Sequence, residues 1–289
     1  MGKYIDPLTD FGFKRIFGSA PQKDLLIAFL NELFKGRKVI RDLVYNQTEN
    51  GGPARHYRKT IFDVTCTGVH GETFIIEVQR ASQKYFIDRA IFYAASRLHE
   101  QGPKGDKYWG FELTEVYFIG LADFNFSDFS SGQYLHRVRL TEEATHKVYY
   151  NKLWFIFLEL PNFNLEEKEL KTDLERWVYV LRNMGKLQKI PVTLCNEVFQ
   201  KLFEIAKIAN LKAEEYMLYQ KDILDRWTEY AVLKTAEEKG IAEGKAKGKA
   251  EVVENLISKF GFTDEQVINA AGVCLDFVKK IRLSLKNTK

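Results

Sequence analysis

Ile61-Phe62-Asp63-Val64-Thr65-Cys66-Thr67 and Thr73-Phe74-Ile75-Ile76-Glu77-Val78-Gln79 flank a turn containing Gly68 and Gly71. Both stretches alternate apolar and polar residues, so the spacing predicts a β-hairpin. Side chains on a strand point to opposite faces with a period of two, which puts Glu77 and Gln79 on one face. If the apolar faces of the two strands are buried together, Asp63 joins that same side. Two carboxylates and an amide then project from one patch of sheet. Close carboxylates repel unless a cation sits between them, and oxygen-only ligands favour Mg²⁺ or Mn²⁺. The same pattern also fits half-exposed sheet carrying solvated acids. Ile75 beside Glu77 and Ile61 beside Asp63 point instead to a partly enclosed site.

Outward from the hairpin, Leu25, Leu26, Phe29, Leu30, Leu33 and Phe34 recur at helical spacing, with Gly36 as C-cap. Val39 to Gln47 reads as a strand and Glu49 to Pro53 as a loop. Phe86, Ala90, Tyr93, Ala94 and Leu98 predict a helix over Ser82–Gln101, and strands are expected at Glu115–Leu121, Tyr134–Leu140 and Leu153–Leu160 before Pro161. The fold class is therefore mixed α/β, of α+β character: a mixed β-sheet flanked by helices. After Asn164 only helices are expected, over Leu165–Met184, Val192–Ala209 and Leu211–Thr235, with Trp177 and Trp227 as packing anchors. Residues 236–250 form a glycine-spotted Lys/Glu/Ala tract that reads as a weak helix serving as a spacer, since each glycine costs a helix about 1 kcal/mol. Thr263 is the expected N-cap of a helix over Asp264–Ala271. The division is a core over 1–163, a helical extension over 164–235, a linker over 236–250 and a small helical module over 251–289.

A chain of 289 residues that is 45% hydrophobic and 28% charged can bury a sizeable core. Its net charge of +4 permits a nucleic-acid partner without demanding one. Cys66, Cys195 and Cys274 form no CxxC pair, and the five histidines lack ligand spacing, which argues against a disulfide framework or structural zinc. No apolar run reaches the length of a membrane span, so the sequence reads as a soluble, cytoplasmic protein with no membrane partner.

Several ordered motifs resemble the recombination-promoting nucleases and transposases of the PD-(D/E)XK nuclease superfamily. They are Asp10-x-x-Phe13-Lys14-x-x-Phe17-Gly18, Phe29-Leu30-Asn31, the block from Asp63 through Gly71 to Ile76-Glu77-Val78-Gln79, Tyr85-x-x-x-Arg89-Ala90, and Leu158-Glu159-Leu160-Pro161. Each is weak alone; in order, along nearly the whole chain, they carry the resemblance together.

The resemblance implies a PD-(D/E)XK-like core and a metal-dependent DNA endonuclease of low sequence specificity, linked to recombination or transposition of mobile elements. It implies that Asp63 and Glu77 hold Mg²⁺ (or Mn²⁺), with the Val78 carbonyl as a third ligand. Gln79 takes the position usually held by lysine in the wider superfamily; it can orient a water but can neither neutralise a phosphate nor accept a proton at neutral pH. Lys14 is the candidate for the missing charge, and its bland alternative is a surface lysine beside Phe13 and Phe17. Tyr85 and Arg89 are candidates for phosphate contact. Glu32 is a weaker candidate acid. The glutamine also supports an alternative function, a DNA-binding or regulatory protein on a nuclease scaffold that does not cut. A further expectation is a homo-oligomer assembled through the helical C-terminal region.

Overall fold

The computed structural model describes residues 2–46, 49–50, 60–61, 63–102, 110–126, 129 and 132–287. Phe62, the side chain of Ile61 and residues 51–53 of the expected loop lie outside the described residues and side chains. Two compact units emerge, Met1–Leu224 and Asp225–Lys289.

The first unit opens with α1 (Asp10–Phe17) and α2 (Lys23–Leu33), then β1 (Leu43–Tyr45), β2 (Glu49–Asn50), β3 (Thr60–Ile61), β4 (Val64–Gly68) and β5 (Thr73–Gln79). It continues through α3 (Phe86–Glu100), β6 (Val116–Ala122), β7 (Leu135–Thr141), β8 (Val148–Glu159), α4 (Asp173–Asn183) and α5 (Glu197–Ala206). A long helix, α6 (Ala213–Ser258), spans the boundary between the units, and α7 (Asp264–Ala271) and α8 (Leu275–Asn287) complete the chain.

Six strands form one mixed sheet in the order β1-β4-β5-β6-β8-β7, while β2 and β3 pair separately. β4 and β5 make the expected antiparallel hairpin, with Val64 opposite Ile76 and Cys66 opposite Phe74. β5, β6 and β8 run parallel through the centre, and β7 closes one edge antiparallel to β8. Every residue of β6 is buried, the composition that a parallel strand covered on both faces requires.

One sheet face packs Val64, Cys66, Phe74, Ile76, Ile119 and Leu158 against α1, α2, α4 and α5. Its centre is aromatic: Trp177 lies 5.6 Å from Phe29 and 4.9 Å from Phe199, ring centre to ring centre. The other face packs Ile75, Phe118 and Phe157 against Phe86, Ala90 and Ala94 of α3. The hairpin is thus sandwiched, not half-exposed, and the acids on the Ile75 face meet α3 rather than open solvent.

Several boundaries differ from the sequence reading, each for a local reason. The strand expected over Val39–Gln47 shrinks to β1 because the Asn31 side chain takes both backbone groups of Ile40, at 2.7 and 2.9 Å. The helix expected from Leu165 starts at Asp173, where Thr172 and Glu175 form a capping box. The helix expected from Val192 starts at Glu197, capped by Asn196. Across 236–250, α6 runs unbroken, the good helix formers between the glycines offsetting their cost. Trp177 is a buried anchor as expected, whereas Trp227 is 67% exposed. In the second unit Val253, Val267 and Val278 form a small core, and the Thr263 cap is present as a capping box with Gln266.

Candidate active site

Asp63 sits at a bend one residue before β4 rather than within a strand, and the Val78 backbone N–H donates to its Oδ2 at 2.5 Å. That bond ties the bend to the end of β5, where Glu77 and Gln79 emerge toward α3. Glu77 is 8% exposed and Gln79 9%. Arg89, one turn into α3, donates through Nη2 to Glu77 Oε1 and to Gln79 Oε1, each at 2.6 Å. Its Nη1 hydrogen-bonds Gln83, and its guanidinium lies 5.2 Å from the centre of the Phe86 ring. The Gln79 amide is further fixed by donating from Nε2 to the Ala81 carbonyl at 3.0 Å. Gln79 is therefore a neutral side chain with a cation bonded to it.

Burial shapes the electrostatics of the pair. It pushes Asp63 up to about 6, opposed by the Val78 N–H, reinforced by the charge of Asp10 and opposed again by Lys14 and Arg80. Glu77 is lifted by burial to about 7, with Arg89 opposing and Asp63 reinforcing. Desolvation thus outweighs a bonded arginine, which means that the local cations under-compensate two carboxylates. Glu77 Oε2 is buried and accepts no hydrogen bond among the described residues. A buried carboxylate oxygen without a donor is costly, and a cation would satisfy it.

These residues fit a hard divalent cation. Among the described residues no three of His, Cys, Asp or Glu converge as a metal cluster, so a cation here would rest on the two carboxylates alone. Mg²⁺ is commonly held by one or two carboxylates together with waters and substrate phosphate. Val78 meets Asp63 through its backbone N–H.

Lys14 lies on α1 and pairs with Asp10 at 2.7 Å. Both influence the Asp63 carboxyl, which places the start of α1 beside the bend. Thr9 caps that helix, accepting from Gly12 N at 2.9 Å. Lys14 also lines a cavity of ≈ 580 Å³ together with Asp10, Phe11, Arg15 and Ile205. Tyr85, one turn before Arg89, is 63% exposed with Lys84 over its ring. Glu32 pairs with Lys35 at 3.2 Å instead of joining Asp63.

Two neighbours were not among the sequence candidates. Asp10 stood in the quoted N-terminal motif, but nothing in its spacing announced proximity to Asp63. Tyr93 follows Arg89 by four residues on α3; its hydroxyl is pushed up by burial and then by Glu77, which sets it beside the site. The i, i+4 spacing from Arg89 was its available signal.

A mixed sheet whose hairpin presents an acid pair toward a following helix defines a class of nucleases, and the chain matches it. A family model described as PD-(D/E)XK nuclease family transposase matches residues 7–236, and the chain belongs to that family. Such nucleases are hydrolases that act on DNA and generally use divalent metals. No curated protein and no solved structure matches the chain. Among the described residues no helix is long and apolar enough to cross a membrane.

Proposed function

We propose that the chain is a Mg²⁺- or Mn²⁺-dependent DNA endonuclease of low sequence specificity, acting in recombination or transposition of mobile elements in the cytoplasm. The observation that carries this reading is the buried Glu77 Oε2, which has no donor among the described residues, beside a second, half-buried carboxylate, Asp63. Asp63, Glu77 and the Val78 carbonyl would hold the cation. When bound, it would polarise the scissile phosphate and acidify a water near neutral pH.

The chain's own side chains supply the rest. Arg89 is the cation nearest to Gln79 and carries the charge that a lysine would bring; its planar fork suits a phosphate leaving Glu77 to other ligands. Gln79, held by Arg89 and Ala81, retains one lone pair and one N–H with which to orient a water, and it takes no proton. Lys14 extends positive charge from α1 toward the DNA backbone. Tyr85, exposed at the head of α3, is a further backbone contact. The core over 1–163 would carry this chemistry, and the helical segments over 164–235, 236–250 and 251–289 would support DNA binding or homo-oligomer assembly.

The test is nicking of supercoiled plasmid by the full chain under a Mg²⁺ or Mn²⁺ titration. A second reading, a DNA-binding or regulatory protein that does not cut, is favoured by one observation: Arg89 is ion-paired to Glu77, where a ligand oxygen would be needed. DNA retention without nicking under either metal would establish that reading instead.

A further inference from the structure

Three arginines gather on the sheet face opposite α3, well away from the carboxylate pair. Arg139 stands on the edge strand β7 directly opposite Trp154 of β8, and Arg137 two residues earlier shares its face. The Arg139 guanidinium lies 4.5 Å from the centre of the Trp154 ring. Arg37, in the turn after α2, lies 5.7 Å from the same ring. Arg137 donates to the Leu33 carbonyl at 2.9 Å, which satisfies the end of α2 and gives that arginine a structural role. Partial desolvation and then the charge of Arg37 both disfavour its charged form, a sign that these like charges are close.

Among the described residues no carboxylate ion-pairs with Arg37, Arg137 or Arg139. The adjacent Lys38 provides the contrast: it pairs with Glu115 at 2.6 Å and with Glu72 at 3.3 Å. Acids were thus placed to neutralise one cation of this turn and not its neighbour. Cation–π contact with one indole explains where Arg37 and Arg139 rest, but a single ring does not compensate two full charges.

We propose that Arg37, Arg139 and Trp154 form a nucleic-acid backbone site separate from the cleavage centre, with the two guanidinium groups taking phosphates. The proposal rests on the nucleic-acid reading above. Guanidinium forks bind phosphate oxygens bidentately while stacking on an aromatic face, which is the posture both arginines already hold. Trp154 is in register with Tyr117, and Tyr117 with Phe74, so the site lies three residues back along the strands and two strands over from Glu77. With about 3.3 Å per residue and about 4.8 Å between strands, that separation is about 14 Å within the plane of the sheet, and the two sites lie on its opposite faces. The site therefore grips nucleic acid flanking the cut, not the scissile phosphate.

The test is fluorescence anisotropy of a labelled duplex and a labelled single strand with the full chain in EDTA, across a salt series. The probes are wild type, Arg37→Gln and Arg37→Glu/Arg139→Glu, with melting curves to establish folding. Arg37 is exposed and its side chain bonds nothing else described, so Arg37→Gln reports even if the double variant unfolds. Each lost phosphate contact should lower the slope of log affinity against log salt by about one, and the double variant should weaken binding at least about tenfold. Unchanged affinity and slope in folded variants would overturn the site, as would wild-type binding to anionic vesicles in place of DNA. Plasmid nicking separates the two claims. Wild type that nicks while the variants bind normally removes this site alone. Binding that depends on the arginines without nicking removes the nuclease reading alone.

Discussion

Gln79 Oε1 accepts a 2.6 Å hydrogen bond from Arg89, which also bonds Glu77 Oε1 at 2.6 Å. One guanidinium thus joins the neutral residue at the lysine position to an acid of the candidate metal pair. The cation bonded to Gln79 comes from the next helix, not from the same strand.

Arg89→Ala should therefore cost more than Lys14→Ala. Loss of a single transition-state cation typically lowers turnover about 10²–10³-fold. Lys14 already pairs with Asp10, half in solvent, and its removal should cost about tenfold or less. Initial nicking rates at saturating metal compare the two. Equal losses would move the missing charge to α1.

The carboxylates predict a pH dependence of stability with a definite sign. Asp63 and Glu77 titrate near 6 and 7 when folded, above their unfolded values, so the folded chain binds more protons between about pH 4 and 7. Metal-free stability should be greatest on the acid side of that window and fall as pH rises through it. Asp63→Asn removes the charge and keeps an acceptor for the Val78 N–H. It should raise metal-free stability at pH 8 by up to about 3 kcal/mol and leave it nearly unchanged at pH 4. Urea unfolding at the two pH values checks this, and added Mg²⁺ should stabilise wild type but not the variant at pH 8.

Gly120 stands opposite Glu77 in the parallel ladder, and a Cβ there would meet Phe157 at 2.9 Å and Phe86 at 3.2 Å. Phe86 begins α3, which carries Arg89. Gly120→Ala should destabilise the fold by about 1–3 kcal/mol through overpacking and reduce nicking beyond what stability explains. Denaturant midpoints measured beside nicking rates separate the two effects.

The period-two pattern was sufficient to place Glu77 and Gln79 on one face, because register in a doubly covered hairpin is fixed by its apolar residues. Asp63 was legible as a neighbour of Glu77 but not as a bend residue. The break in the strand comes from the local path of the chain, which alternation does not encode. Arg89 was legible only as a helix residue: its reach to both side chains depends on how the turn over 80–85 sets the rotation of α3. Trp227 looked like a core residue because large aromatics usually bury, and its 67% exposure follows from the placement of α6, a tertiary matter. The glycines of 236–250 predict a weak helix, whereas α6 runs through them because Ala, Lys and Glu between them are strong helix formers.

The central claim is that Asp63 and Glu77 together hold a divalent cation that drives phosphodiester hydrolysis. Its most direct test is the nicking of supercoiled plasmid by wild type, Asp63→Ala and Glu77→Ala across a Mg²⁺ titration. Wild type should nick with saturable dependence on Mg²⁺, and both variants should fall by more than about 10³-fold while keeping wild-type melting behaviour. Robust cleavage by either folded variant, or by wild type in EDTA, would contradict it.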